Sequence, residues 1–194
     1  MFRFIKENSS AISKLAIYQF ALTVFGLLLY TVSKYSQNPM IVVGISAFAA
    51  LFYLFIIYTN IWEIGAKDKI RIDGKRLEPR PFHGLFIGLV ANIPNYIFAL
   101  ASTVGYLCID RSVTTAEGNF TTPEWAVNLY GIAHTVGSYL NGTYLGITET
   151  IGIYRYPFTL ALITIPAIAA CALGYFFGTK EKFPIVAEKH NVDY

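Results

Sequence analysis

A chain of 194 residues in which 55% are hydrophobic and only 14% charged is not an ordinary soluble domain, where charged residues make up about a quarter of the chain. The surplus apolar surface must face something other than water, so an all-α integral membrane protein is expected, with one membrane domain and no room for a soluble one. The net charge of +3 is small; nucleic acid is not expected as a partner, and the placement of the charges says more than their sum.

A hydrocarbon core about 30 Å thick needs about 20 apolar residues to cross it, and four segments meet or nearly meet that length, at about 14–34, 40–63, 82–109 and 157–178. The first follows Arg3, Lys6 and Lys14, as the apolar part of a secretion signal would. It is longer than such a region and has no small-residue cleavage site before Lys34, so it reads as an uncleaved span. The polar-tipped aromatics Tyr58, Trp62, Trp125, Tyr154 and Tyr156 fall near the expected span ends, where one side of the ring is wet and the other dry.

The second span runs into a basic loop, 64–81, whose stretch Lys67–Arg80 holds six of the fifteen basic residues. A short loop this rich in Lys and Arg stays in the cytoplasm. Within it, Ile70-Arg71-Ile72 and Lys75-Arg76-Leu77 flank Asp73-Gly74, a dipeptide that favours a hairpin turn. Such a basic hairpin lies against anionic lipid headgroups, engages a protein partner, or serves only to set orientation.

In the third span, Gly84, Gly88, Asn92, Asn95, Ala99, Ser102 and Tyr106 follow one another three or four residues apart, a continuous small and polar stripe along one face. Phe86, Leu89, Ile93, Ile97, Leu100 and Val104 occupy the other. Lipid solvates the second face but not the amides of the first, so this helix is expected at the centre of the bundle with its stripe inward. Pro94 lies between the two asparagines and kinks the span. The fourth span repeats the arrangement with Thr164 and Pro166. Paired breaks beside polar side chains are ordinary kinks or a pointer to a solute site; on the second view Asn92, Asn95, Ser102, Thr164 and His134 are the candidate binding residues. Gly84-x-x-x-Gly88 and Gly174-x-x-x-Gly178 are surfaces for close helix contact, with each other in one chain or between two copies in a homo-oligomer.

Between the third and fourth spans lies an insert, 110–156, expected on the extracytoplasmic side. Its segment 125–148 is long enough to cross but polar. If it stays outside, basic residues divide as 12 inside to 3 outside; if it crosses, the division is 10 to 5, and the first agrees better with the positive-inside bias. Four spans with both termini cytoplasmic follow. Leu129, Ile132, Val136, Leu140 and Tyr144 share one helical face of the segment and Gly131, His134, Ser138 and Asn141 the other. That is an amphipathic helix suited to the membrane surface, with a re-entrant hairpin as the sharper alternative.

Several tempting motifs fail. Thr103-Val104-Gly105-Tyr106 lacks the last glycine of a potassium-channel filter, where Leu107 stands. His134 and Ser138 are four apart like a base and nucleophile, but no carboxylate is spaced to orient the histidine. The three histidines are scattered over both sides, so neither metal nor cofactor is expected, and Cys108 and Cys171 lie at depths too different for a disulfide. No charge falls inside a span, which argues against a proton relay.

The stretch from Ile61 to Pro94 resembles a family of uncharacterised small multi-span membrane proteins of Gram-positive anaerobic bacteria: a span ending in Trp62 and Gly65, then Lys67-Asp68, a basic loop, and Gly84-Leu85 and Ile87-Gly88 opening a span that contains Pro94. The resemblance implies a bacterial plasma membrane and nothing catalytic. In length and hydropathy the chain is also similar to the substrate-binding subunits of energy-coupling-factor vitamin transporters, though those have six spans. The expected role is a non-enzymatic accessory subunit or small binding and transport module; the rivals are a solute transporter subunit and a membrane-embedded hydrolase using His134 and Ser138. In intact cells, cysteines introduced at 118 and 128 should react with a membrane-impermeant thiol reagent, and cysteines at 74 and 182 should not. Labelling at 182 would mean that 125–148 crosses.

Overall fold

The computed structural model describes residues 2–110, 113–114, 120–121 and 123–180. Nine α-helices occur among them: α1 Phe2–Glu7, α2 Ser9–Lys34, α3 Pro39–Asp73, α4 His83–Ala91, α5 Ile93–Asp110, α6 Glu124–Leu140, α7 Leu145–Ile151, α8 Thr159–Leu162 and α9 Ile165–Thr179. Short 3₁₀ turns flank α7, and a two-residue antiparallel ladder pairs Val113 with Thr121 and Thr114 with Phe120. By length and composition, α2, α3 and the α8–α9 pair are able to cross a membrane; α4 and α5, bent by 53° at their junction, make a fourth if counted as one broken span.

The interior is shared between large apolar side chains and small residues. Ile61, Ile87 and Tyr175 are fully buried and Cys171 nearly so. Outside, Phe20, Leu28, Leu51, Ile97 and Leu100 stand more than half exposed, an apolar coat far larger than a water-facing surface carries. The stripe on α4 and α5 is interior: Gly84, Gly88, Asn92, Asn95, Ala99 and Ser102 are buried, while Phe86, Leu89, Ile93, Ile97, Leu100 and Val104 are exposed.

Helix α9 packs most extensively against α3 and also against α4, and glycines set both contacts. A methyl group on Gly88 would lie 2.9 Å from Cβ of Cys171, and one on Gly84 would collide with Tyr175. On the other side, a methyl on Gly174 would lie 2.7 Å from the Tyr58 carbonyl, and one on Gly178 would strike that of Trp62. The two glycine motifs therefore do not face each other, as the sequence suggested. Each receives a different neighbour, which lets α9 wedge between α3 and α4.

The loop between α3 and α4 also differs from expectation. The helix does not stop at the end of the apolar stretch; it runs through Ile70–Asp73, so the basic hairpin does not form. Ion pairs one turn apart carry it forward, with Lys67 Nζ 2.6 Å from Glu63 and Lys69 Nζ 3.2 Å from Asp73. It ends in a Schellman closure, the Lys75 amide donating to the Ile72 carbonyl and the Arg76 amide to that of Arg71, each at 2.9 Å. The left-handed position is taken by Lys75 at φ 56°, and Gly74 keeps φ −78°.

Helix α6 does not lie across the end of the bundle; it runs antiparallel along α5. Tyr130 packs on Gly105, Gly137 on Phe98, and Asn141 bonds to Asn95. The chain then turns through 141–144, and α7 climbs back until Glu149 meets Lys34 Nζ at 2.7 Å and accepts from the Tyr30 hydroxyl at the end of α2. The apex rests against Thr23, Gly26 and Leu27, within the length of α2 and not at its end. Helix α6 puts its polar face inward: His134, Ser138 and Asn141 are buried and Ile132 is 66% exposed.

Gly174→Ala should lower stability by about 1–3 kcal/mol through overpacking against α3. Gly44→Ala, with nothing within 4 Å of the added methyl, should raise it by about 0.5–1 kcal/mol through helix propensity. Unfolding of the purified protein in detergent measures both.

Candidate functional site

Two places gather polar groups: the middle of the bundle, where the candidate residues lie, and the basic end, where α1, α2, α3 and α4 meet.

At mid-depth, Pro94 and Pro166 remove the amide protons that would continue their helices, and the chain breaks at Asn92 and at Ile163-Thr164. The asparagines of three helix ends form one relay. Asn141 Nδ2 donates to Asn95 Oδ1 at 3.2 Å, Asn95 Nδ2 to Asn92 Oδ1 at 3.0 Å, and Asn92 Nδ2 to the Gly88 carbonyl at 2.9 Å. Asn141 Nδ2 is also 2.8 Å from the Gly137 carbonyl, and Thr23 Oγ1 donates to the Leu140 carbonyl at 2.7 Å. These side chains supply the donors that the ends of α4 and α6 lack. Thr164 Oγ1 lies 2.8 Å from the Ala161 carbonyl and 3.0 Å from the Tyr96 hydroxyl.

The structure thus brings Asn92 and Asn95 together, joins them to Asn141, and leaves the other candidates apart. Thr164 belongs to the second break. Ser102 is fully buried with no hydrogen-bond partner among the described residues. The His134 ring lies against Tyr130 and Tyr154 and donates from Nε2 to the Tyr154 carbonyl at 2.8 Å, and no hydrogen bond among the described residues joins it to Ser138, whose hydroxyl is unpartnered. The cavity beside Ser138, Asn141 and Thr148 measures about 10 Å³, room for one water molecule and no larger solute. The hydrogen bonds of this cluster satisfy backbone carbonyls at the helix ends.

The basic end is different. A cavity of about 420 Å³ opens there, within the range of small-molecule sites. Lys14 comes from the start of α2, Lys67 and Arg71 from the extension of α3, and Arg80 from the turn before α4; Glu7 and Asp68 are the carboxylates in the wall. Four cations against two carboxylates leave an excess of positive charge. Asp68 is 7% exposed and already engaged: Tyr175 Oη donates to it at 3.0 Å, and Arg71 approaches at 3.4 Å. Lys67 is paired with Glu63. Among the described residues neither Lys14 nor Arg80 has a partner within ion-pair distance.

His83 forms the floor. Its ring lies edge-on to Phe4 and tilted on Tyr175, and Nε2 donates to Asn8 Oδ1 at 3.0 Å while Asn8 Nδ2 holds the Phe4 carbonyl at 2.9 Å. These contacts fix α1 and the start of α2 against α4, so the cavity wall is built and not a loose end. It offers full positive charges at a polar, half-open site, suited to an anion. Among the described residues no three His, Cys, Asp or Glu side chains are grouped to hold a metal ion.

Sequence reading singled out the basic loop but not Lys14, Asp68, His83 or Tyr175 as members of one site. The one available signal was Asp68, an acid inside a basic run. Comparison with protein-family models, with curated proteins and with solved structures finds no match to this chain, and the resemblance over Ile61 to Pro94 gains no support from them. Asn95→Leu, which cuts the relay twice, should lower stability by about 1–3 kcal/mol, and Ile97→Leu on the exposed face should be nearly silent. A stabilising Asn95→Leu in thermal unfolding would show that the amides are kept for something other than the fold.

Proposed function

We propose that this protein is a non-enzymatic binding module of a bacterial plasma membrane, with four spans and both termini in the cytoplasm, that takes an anionic group in the cavity at its basic end. The observation that carries this is the pair Lys14 and Arg80, two cations without ion-pair partners among the described residues, in the wall of a preformed cavity. A guanidinium offers a planar fork of donors and an ammonium a compact charge, the combination that suits phosphate or carboxylate. The positive-inside bias supports a cytoplasmic position for this end, since Lys14, Lys67, Arg71, Arg80 and Lys180 all gather there. The hairpin α6–α7 then enters from the opposite side.

A second reading, passage of a neutral solute, is favoured by one observation: the broken span α4–α5 meets the hairpin apex at the same depth, as in transporters built on discontinuous helices. The amides there already satisfy one another, so this reading needs a second conformation that opens the relay.

Inorganic phosphate should raise the unfolding temperature of the purified protein beyond chloride at equal ionic strength. Arg80→Gln and Lys14→Gln should each abolish the difference, and Asn92→Ala should leave it unchanged. A phosphate effect that survives in both cation variants would overturn the anion site; loss of a solute's effect in Asn92→Ala alone would favour the transport reading.

A further inference from the structure

The basic cavity has a neighbour. An apolar groove of about 350 Å³ is lined by Phe4, Pro81, Phe82 and Phe86 together with Arg80 and His83, and the last two also line the basic cavity. The two hollows are therefore adjacent, with one guanidinium and one imidazole in the wall of both. Phe82 is 65% and Phe86 53% exposed, and Phe4 and Phe86 meet edge to face at 6.2 Å.

The direction of the pair matches the expected membrane boundary. Lys14 precedes the apolar run of α2, Lys67 and Arg71 lie beyond that of α3, and Arg80 stands just before α4. Phe86 lies one turn inside α4, on the apolar side of Arg80. The charged lobe thus points toward the headgroup region and the aromatic lobe toward the hydrocarbon, the way an anionic amphiphile lies in a leaflet. Arg80 lines both lobes, and a long stem with a charged head suits such a boundary.

We infer that the two lobes form one site for a single phosphate-bearing membrane lipid, the phosphate held by Lys14 and Arg80 and the first part of an acyl chain laid along Phe4, Phe82 and Phe86. This rests on the anion-binding reading above and adds the chain to it. The lipid is bound at a built pocket and not only attracted to a basic face, so Arg76, in the same basic stretch but outside both lobes, makes no contribution to it.

The test uses the full-length protein in mild detergent, titrated with short-chain phosphatidylglycerol, with phosphatidylcholine, and with inorganic phosphate; native mass spectrometry reports bound lipid and thermal unfolding reports phosphate. Phosphatidylglycerol should bind at one copy per chain, at least about tenfold more tightly than phosphatidylcholine, whose phosphate is offset by a fixed ammonium that the cations of the pocket repel. Arg80→Gln should weaken it about tenfold and Arg76→Gln should not change it. Phe82→Ala and Phe86→Ala, both at exposed positions that the fold tolerates, should each weaken phosphatidylglycerol several-fold while leaving inorganic phosphate as in the unaltered protein. If phosphate binds and the phenylalanine variants hold phosphatidylglycerol undiminished, the chain lobe is wrong and the anion site stands. Equal loss in Arg76→Gln and Arg80→Gln would show diffuse attraction and overturn the built site. Binding of neither phosphate nor phosphatidylglycerol would remove both readings together.

Discussion

Every peptide group exposed by a break inside an apolar layer must find a partner within the protein, because neither lipid nor water there will serve. The fold is arranged around that requirement. Pro94 and Pro166 open the third and fourth long helices, and the end of α6 opens a third site at the same depth. Asn92, Asn95 and Asn141 answer the first and third with four donated hydrogen bonds, two of them to the carbonyls of Gly88 and Gly137. Thr23 reaches from α2 to the Leu140 carbonyl, and Thr164 uses its hydroxyl on Ala161 at the second break. Asparagine suits this duty: it donates and accepts through one short, uncharged side chain, so the relay closes without a buried ion.

The same economy leaves little space in the middle. Its cavity holds about 10 Å³, while the basic end holds about 420 Å³. Close packing also governs how α9 is held. With glycines at 84, 88, 174 and 178, its backbone approaches α3 and α4 closely at these four positions. Tyr175 is fully buried between α3 and α4 with its hydroxyl on Asp68. That bond ties the extension of α3 to α9 and sets Arg71 and Lys67 at the mouth of the cavity, so close packing within the layer determines charge geometry outside it.

Much of this was legible in the sequence, and for a simple reason: lipid-facing and interior surfaces differ in residue type at helical spacing. The stripe of α4 and α5 follows from that difference alone, residue by residue from Gly84 to Ser102, and so does the count of long apolar helices. Pro94 and Pro166 marked the breaks because the missing amide proton is a local property. What spacing does not determine is which way a polar face turns. On α6 the face of His134, Ser138 and Asn141 fits either water or a polar interior, and only the Asn95 amide oxygen, which accepts from Asn141, and the Thr23 hydroxyl, which donates to the Leu140 carbonyl, decide for the interior.

The basic loop shows the same limit at short range. Asp73-Gly74 favours a turn, but Glu63, Lys67, Lys69 and Asp73 are spaced to continue a helix, and with the end of α9 packed beneath Gly65 and Ala66 the helix wins and the turn moves to Lys75. The cavity was beyond reach of the sequence altogether. Its members come from positions 7 to 83, and no local pattern joins Lys14 to Arg80 or Asp68 to Tyr175. Composition and periodicity determine the solvent a chain must face and the surfaces it must hide; which charges then meet depends on how far each helix is allowed to approach its neighbour.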